Sequence, residues 1–271
     1  MSAAAPRRGA LGQAAFVLHQ WDWSETSLIL DLFTREQGRL AAVAKGAKRP
    51  YSQLRPVLMP FQRLQVQLGR AKADEASDIL TLRSADYAGA GLVLPPAQLM
   101  SGFYLNELLL KMLARNDPHE RLFDAYADTL QALAAGDEEA ALRAFELQLL
   151  REAGLLPELD RGTLSQQRVA DEGRYQLRAE AGLVAAGDDG PALAGNACRA
   201  LQAALDAHDA AALRQAARPV LPALKLQLRG LLHYHLGSPA MRTRQLMLDV
   251  RRLLDAAPSP PGPTGPTGSP A

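Results

Sequence analysis

The sequence predicts an α+β protein, a small closed five-stranded β-barrel followed by a mainly α-helical domain. The first ground is a series of short apolar runs of strand length, broken by Gly, Pro and Ser turns, over residues 1–83. The second is a change to helical spacing of apolar residues after Pro95-Pro96. The third is charge. The chain carries a net +1, but residues 1–83 hold 12 Lys+Arg against 7 Asp+Glu, and the remainder holds 18 against 22. A basic N-terminal part on a nearly neutral chain points to a polyanion met by that part alone.

The strands follow in order. Ala15-Phe16-Val17-Leu18-His19 and Leu28-Ile29-Leu30-Asp31-Leu32-Phe33 are apolar runs of strand length. Gly38 opens Arg39-Leu40-Ala41-Ala42-Val43-Ala44. Arg63-Leu64-Gln65-Val66-Gln67-Leu68 alternates, which puts Leu64, Val66 and Leu68 on one face. Asp78-Ile79-Leu80-Thr81-Leu82-Arg83 is the fifth. Five such strands close into a barrel that leaves no edge unpaired.

In the second part, Tyr104, Leu105, Leu108, Leu109, Met112 and Leu113 share a helix face that stops at Asn116-Asp117-Pro118. Leu122, Phe123, Tyr126, Leu130 and Leu133 mark the next helix, closed by Gly136. Asp137 stands where an N-cap belongs for a third helix, which carries Leu142, Phe145, Leu149 and Leu150. Residues 174–178 and 182–184 fit a small hairpin, and helix returns over 196–207, 222–236 and 241–254. From Ala257 the chain is Pro/Gly/Ser/Thr-rich and cannot build a core. The expected organisation is a flexible segment 1–11, a barrel domain 12–85, a helical domain 86–255 with an irregular insert at about 155–195, and a disordered tail 256–271.

Several functions are disfavoured. No apolar run reaches the roughly 18 residues that span a bilayer, and the N-terminal arginines are not followed by the apolar stretch of a secretory signal. One cysteine, Cys198, forms no intramolecular disulfide and no multi-cysteine metal site. A cytoplasmic, nucleoid-associated protein is expected. Walker, dinucleotide-binding, zincin and nucleophile-elbow motifs are missing, so no catalytic residue and no cofactor is expected. His233 and His235, an i, i+2 pair in a helix, face different ways, and His119 reads as a capping or surface residue.

The chemistry that is present lies at Lys45-Gly46-Ala47-Lys48-Arg49-Pro50, with no acid between Glu36 and Asp74. Glycine lets a backbone approach a ligand, proline stiffens the exit, and separate cations suit separate phosphates. Lys45, Lys48 and Arg49, joined by Arg39, Arg55, Arg70 and Lys72, are the candidate phosphate contacts. Trp21, Trp23 and Tyr51 either stack on bases or fill and cap the barrel; Tyr51, beside the basic loop, has the better case for stacking. A second constellation comprises Arg143, Leu142, Phe145, Tyr104 and Leu108. It reads either as a helical core with a surface arginine or as an apolar pocket for a peptide ending in a hydrophobic residue and a carboxylate. Arg229, Arg242 and Arg244 read as a solvated face.

Together these segments resemble the RecO family of bacterial DNA repair and recombination mediators. The resemblance is carried by Ala15-Phe16-Val17-Leu18-His19, Trp23-Ser24-Glu25-Thr26-Ser27-Leu28, Gly38-Arg39, Val43-Ala44-Lys45-Gly46-Ala47 and Pro60-Phe61. In the second half it includes Gly102-Phe103-Tyr104-Leu105-Asn106-Glu107-Leu108-Leu109, Leu142-Arg143-Ala144-Phe145-Glu146-Leu147 and Arg242-Thr243-Arg244. It implies an OB-fold barrel, binding of single- and double-stranded DNA, annealing of complementary strands, and loading of RecA together with RecR. It further implies that the helical domain receives the acidic, Phe-ending tail of single-strand-binding protein at Arg143. Some family members carry a four-cysteine zinc site after the third helix. Residues 154–162 contain no cysteine, so no metal is expected. An OB-type RNA-binding module and a protein–protein adaptor are the alternatives.

Overall fold

The computed structural model describes residues 12–69, 79–89, 91–187 and 190–237, together with 241–243, 245, 246, 249 and 252. The expected flexible start and Pro/Gly-rich tail fall outside them, as does much of the helix expected over 241–254.

The first five strands are β1 (Gln13–Asp22), β2 (Leu28–Thr34), β3 (Gly38–Ala44), β4 (Leu64–Gly69) and β5 (Ile79–Tyr87). They close in the order β1-β2-β3-β5-β4, with β3 and β5 parallel and β1 also paired to β4. This is the five-stranded Greek-key closure of an OB-fold. Its interior is aliphatic, built from Ala15, Val17, Leu30, Leu32, Leu40 and Val66 with their neighbours. A single helical turn, α1 (Leu54–Val57), follows β3, and Leu54, Val57 and Leu58 close that end of the barrel.

The first part of β1, up to Leu18, is buried on both faces, which is why it reads as an apolar run rather than an alternation, while His19–Asp22 are exposed. Ala15 and Val17 enter the barrel, while Phe16 and Leu18 join Phe33 in the core of the helical part. That core is made by α2 (Leu99–Met112), α3 (Glu120–Ala134) and α4 (Glu138–Glu152). Phe123 of α3 contacts both Phe16 and Phe33, with ring centroids 5.1 and 5.4 Å away. At the β1 bulge the Leu18 carbonyl accepts a hydrogen bond from Asn106 Nδ2 at 2.9 Å, and Asn106 Oδ1 accepts from the Tyr126 hydroxyl at 2.5 Å. Gly38 has φ +69°, and a Cβ there would overlap the Asp117 carbonyl. Barrel and helices thus share one continuous interface.

Asp137 precedes α4 as expected, but its side chain caps nothing. Its carboxylate instead meets Arg218 at 2.9 Å and Arg214 at 3.7 Å. The expected hairpin forms as β6 (Arg174–Arg178) and β7 (Gly182–Ala185), extended by β8 (Leu193–Ala194). Leu159, Val169, Leu177, Leu183 and Leu193 are buried in the main core, so apolar packing holds this insert. Then come α5 (Gly195–Asp206), α6 (Ala210–Ala217) and α7 (Leu221–Leu236). The sequence reading has no counterpart of α6, although Asp209 caps it by accepting from the Ala212 amide at 2.9 Å. Buried Cys198 has its thiol pushed up to about 12 by loss of solvent. No helix among the described residues is long and apolar enough to cross a membrane.

Candidate nucleic-acid interface

The loop after β3 is shaped by one buried residue. Ala47 packs into the barrel core, so its neighbours are directed outward. Gly46 takes φ +72°, which a glycine adopts without strain. Backbone bonds from Arg49 N to the Gly46 carbonyl (3.1 Å) and from Ser52 N to the Arg49 carbonyl (3.0 Å) tighten the turn. Lys45 and Arg49 are exposed, Arg55 is exposed on α1, and none of the three has an acidic partner among the described residues. Lys48 is committed differently. Its amide donates to the Thr26 carbonyl, and its Nζ lies 3.0 Å from Asp22 and 3.2 Å from the Ser24 carbonyl. Lys48 therefore braces the β1–β2 loop, and part of its charge is answered by Asp22.

Arg39 does not join this face. Its Nη1 donates to the Leu110 carbonyl and, at 3.0 Å, to the Leu113 carbonyl. Its Nε lies 3.3 Å from buried Asp31. The last turn of α2 leaves carbonyls without helical partners, and this guanidinium satisfies two of them. Burial pushes the Asp31 carboxyl up, opposed by Arg39 and Arg115 beside it. Arg39 is a strut between barrel and helices. Arg70 and Lys72 lie outside the described residues.

The aromatic residues resolve clearly. Tyr51 is 93% exposed, Trp23 61% and Trp21 43%, and none fills the barrel, whose interior is aliphatic. Trp21, Leu28, Lys48, Arg55, Leu58 and Met59 line one depression on the barrel surface. Sequence reasoning favoured Tyr51 from its adjacency to the loop. It had no way to bring Trp21 beside Arg55, which is 34 positions away, and no signal in the sequence marks Met59.

A second groove runs between α2, α4 and α7, lined by Tyr104, Leu142 and Leu226 with three cations, Arg143, Lys225 and Arg229, and three carboxylates, Glu138, Glu139 and Glu146. Arg143 is only 8% exposed, and its Nη2 lies 2.5 Å from Glu146 Oε1. The Tyr104 hydroxyl donates to the same oxygen at 2.8 Å. Burial pushes the Glu146 carboxyl up, while Arg143 and Tyr104 pull it back down. Leu108 and Phe145, expected on this surface, are fully buried and form the core beneath it. Helical spacing put them on an apolar stripe, but that stripe faces inward. Arg229, read as part of a solvated face, is exposed at the rim of the groove and has no acidic partner among the described residues.

Comparison with known proteins identifies the family. Residues 11–87 match the family model described as Recombination protein O N terminal, and residues 96–245 match Recombination protein O C terminal. The chain belongs to the RecO family. The DNA repair protein RecO of Variovorax paradoxus (strain S110) is 50% identical over 254 residues, covering 89% of this chain and 96% of that protein. The DNA repair protein RecO of Verminephrobacter eiseniae (strain EF01-2) is 52% identical over 249 residues, with the same coverage. That of Polaromonas sp. (strain JS666 / ATCC BAA-500) is 49% identical over 249 residues, covering 89% of this chain and 97% of that protein. Family membership thus agrees with the barrel-then-helices order and places the chain among proteins named for DNA repair.

Proposed function

We propose that this chain is a non-catalytic recombination mediator in DNA repair, acting in the cytoplasm at the nucleoid. Its barrel binds single- and double-stranded DNA through phosphate contacts from Lys45, Arg49 and Arg55, with Lys48, Arg70 and Lys72 adding to the field and Tyr51 beside them. The observation that carries this reading is the set of exposed cations after β3, Lys45, Arg49 and Arg55, without acidic partners among the described residues, with Arg55 sharing a barrel-surface depression with half-exposed Trp21. Phosphate contacts give affinity with little sequence preference. Annealing follows from the same chemistry, since cations reduce the repulsion between two strands while their bases stay free to pair.

The α2–α4–α7 groove is the proposed dock for the acidic, Phe-ending tail of single-strand-binding protein. Leu142 and Leu226 offer the apolar floor for the phenyl ring. Arg229, with Lys225 and the edge of Arg143, offers cationic charge to the tail, and Arg229 carries most of it because Glu146 answers Arg143 and Glu139 lies 2.9 Å from Lys225. Docking raises the local concentration of the barrel at coated DNA, where RecR joins it to load RecA.

The test is the annealing rate of two complementary labelled oligonucleotides, bare and coated with single-strand-binding protein. The reading expects acceleration in both cases, and Arg229→Glu should reduce only the coated rate. No acceleration of the bare strands by the wild-type chain would overturn it.

A further inference from the structure

The geometry points to Trp21 as a stacking platform for an unpaired base, which makes the barrel selective for single-stranded over duplex DNA. This rests on the barrel being the nucleic-acid face and adds a second contact chemistry to it. Trp21 contributes nothing to the barrel interior, which Ala, Val and Leu fill. It is 43% exposed although an indole is among the most favourable groups to bury. It is also held in place. Trp21 pairs with Ile29 across the β1–β2 ladder, and its ring meets His19 in a T-shaped contact, centroids 4.6 Å apart and planes at 78°. A fixed ring loses little rotamer freedom when a base settles on it.

The surroundings identify the occupant. Trp21 shares its depression with Arg55, Met59 and the Lys48–Asp22 pair, so Arg55 is the cation there whose charge is unanswered, and the exposed cations Lys45 and Arg49 lie on the loop that carries Lys48. An aromatic face beside cations matches a strand that presents both a base and a phosphate. Duplex DNA presents phosphates and groove edges but no open base face, because each of its bases is covered above and below by neighbours. Phosphate contacts alone would not distinguish the two forms. Trp21 would.

The test compares a dT oligomer, an abasic deoxyribose-phosphate oligomer of equal length, an rU oligomer and a duplex. Each is titrated with the wild-type chain, Trp21→Ala, Trp21→Phe and Lys45→Ala/Arg49→Ala. Trp21→Ala is expected to weaken dT binding by roughly 5- to 150-fold, the range that corresponds to loss of one base–aromatic stack. It should leave the abasic strand and the duplex within about 2-fold, as only phosphates are read there. Trp21→Phe should restore most of the dT affinity, which also shows that the fold is intact. In a Trp23→Phe protein, whose one tryptophan is Trp21, dT should quench the indole fluorescence and the abasic strand should not. Equal losses on dT and abasic strands, or no quenching, would overturn the stacking role while leaving the barrel a phosphate-binding face. A loss confined to rU would overturn the assignment to DNA. Failure of the wild type to bind any of the four would overturn the nucleic-acid reading itself.

Discussion

Replacing Asn106 by Ala tests how the barrel is fastened to the helices. Asn106 is 2% exposed and bridges the Leu18 carbonyl at the β1 bulge and the hydroxyl of fully buried Tyr126. Truncation leaves both buried without partners, and each orphaned group costs about 1–3 kcal/mol. The sum, roughly 2–6 kcal/mol, corresponds to a fall in midpoint of about 4–24 °C at roughly 2–4 °C per kcal/mol for a chain of this size. Tyr126→Phe removes only the hydroxyl and should cost about 1–2 kcal/mol, because Asn106 keeps its bond to Leu18. In the double variant the Tyr126 hydroxyl is already absent, so its loss counts once and the total falls short of the sum of the single changes. Thermal unfolding followed by circular dichroism measures all three. A shift under about 1 °C for Asn106→Ala, or strict additivity in the double variant, would refute the claim that these bonds form one buried unit.

Gly38→Ala should destabilise the chain by more than about 3 kcal/mol, since it adds a backbone overlap with Asp117 to the strain of a left-handed conformation. Gly136→Ala, also at positive φ but with open space around it, should cost only about 1–2 kcal/mol; comparable midpoints for the two variants would contradict the tight contact at Gly38. Burial disfavours ionised Glu107, but hydrogen bonds from the Thr243 hydroxyl and amide, the Arg242 amide and Lys111 outweigh it and hold the carboxyl below its usual range. A carboxylate with a lowered folded-state value stabilises fully above the ordinary glutamate range and loses that contribution as the pH falls below that range and on through the lowered value. Glu107→Gln at neutral pH, or acidification of the wild type, should therefore speed amide exchange at Arg242 and Thr243, and unchanged exchange would sink the idea.

Much of the fold could be read from the sequence because burial leaves a periodic trace. β4 alternates, with Leu64 and Val66 inside and Gln65 and Gln67 outside, while β1 up to Leu18 and β2 are covered on both sides and read as continuous runs. The side-chain faces were harder to read. The bulge at Leu18 inserts a residue into β1, and a one-residue change of register reverses which side chains face out beyond it. The exposure of His19 and Trp21 depends on that bulge. Arg39 looked like a phosphate contact because its partners, the Leu110 and Leu113 carbonyls, lie more than 70 positions away and leave no local signal. Leu108 and Phe145 were on the right helices but on their inner faces, and only the packing of α7 shows which residues are left to line the groove. Helix α6 is short and alanine-rich, so its sequence carries little apolar periodicity; Asp209 was its one readable mark.

The most direct measurement is the affinity of the whole chain for a labelled single-stranded DNA across a salt titration, beside Lys45→Ala/Arg49→Ala/Arg55→Ala. Each phosphate contact on a single strand contributes roughly 0.7 to the log–log slope, so three lost contacts remove about two units. A slope shallower by that amount is the predicted result. Identical slopes for the two proteins would mean that DNA does not lie on this face of the barrel.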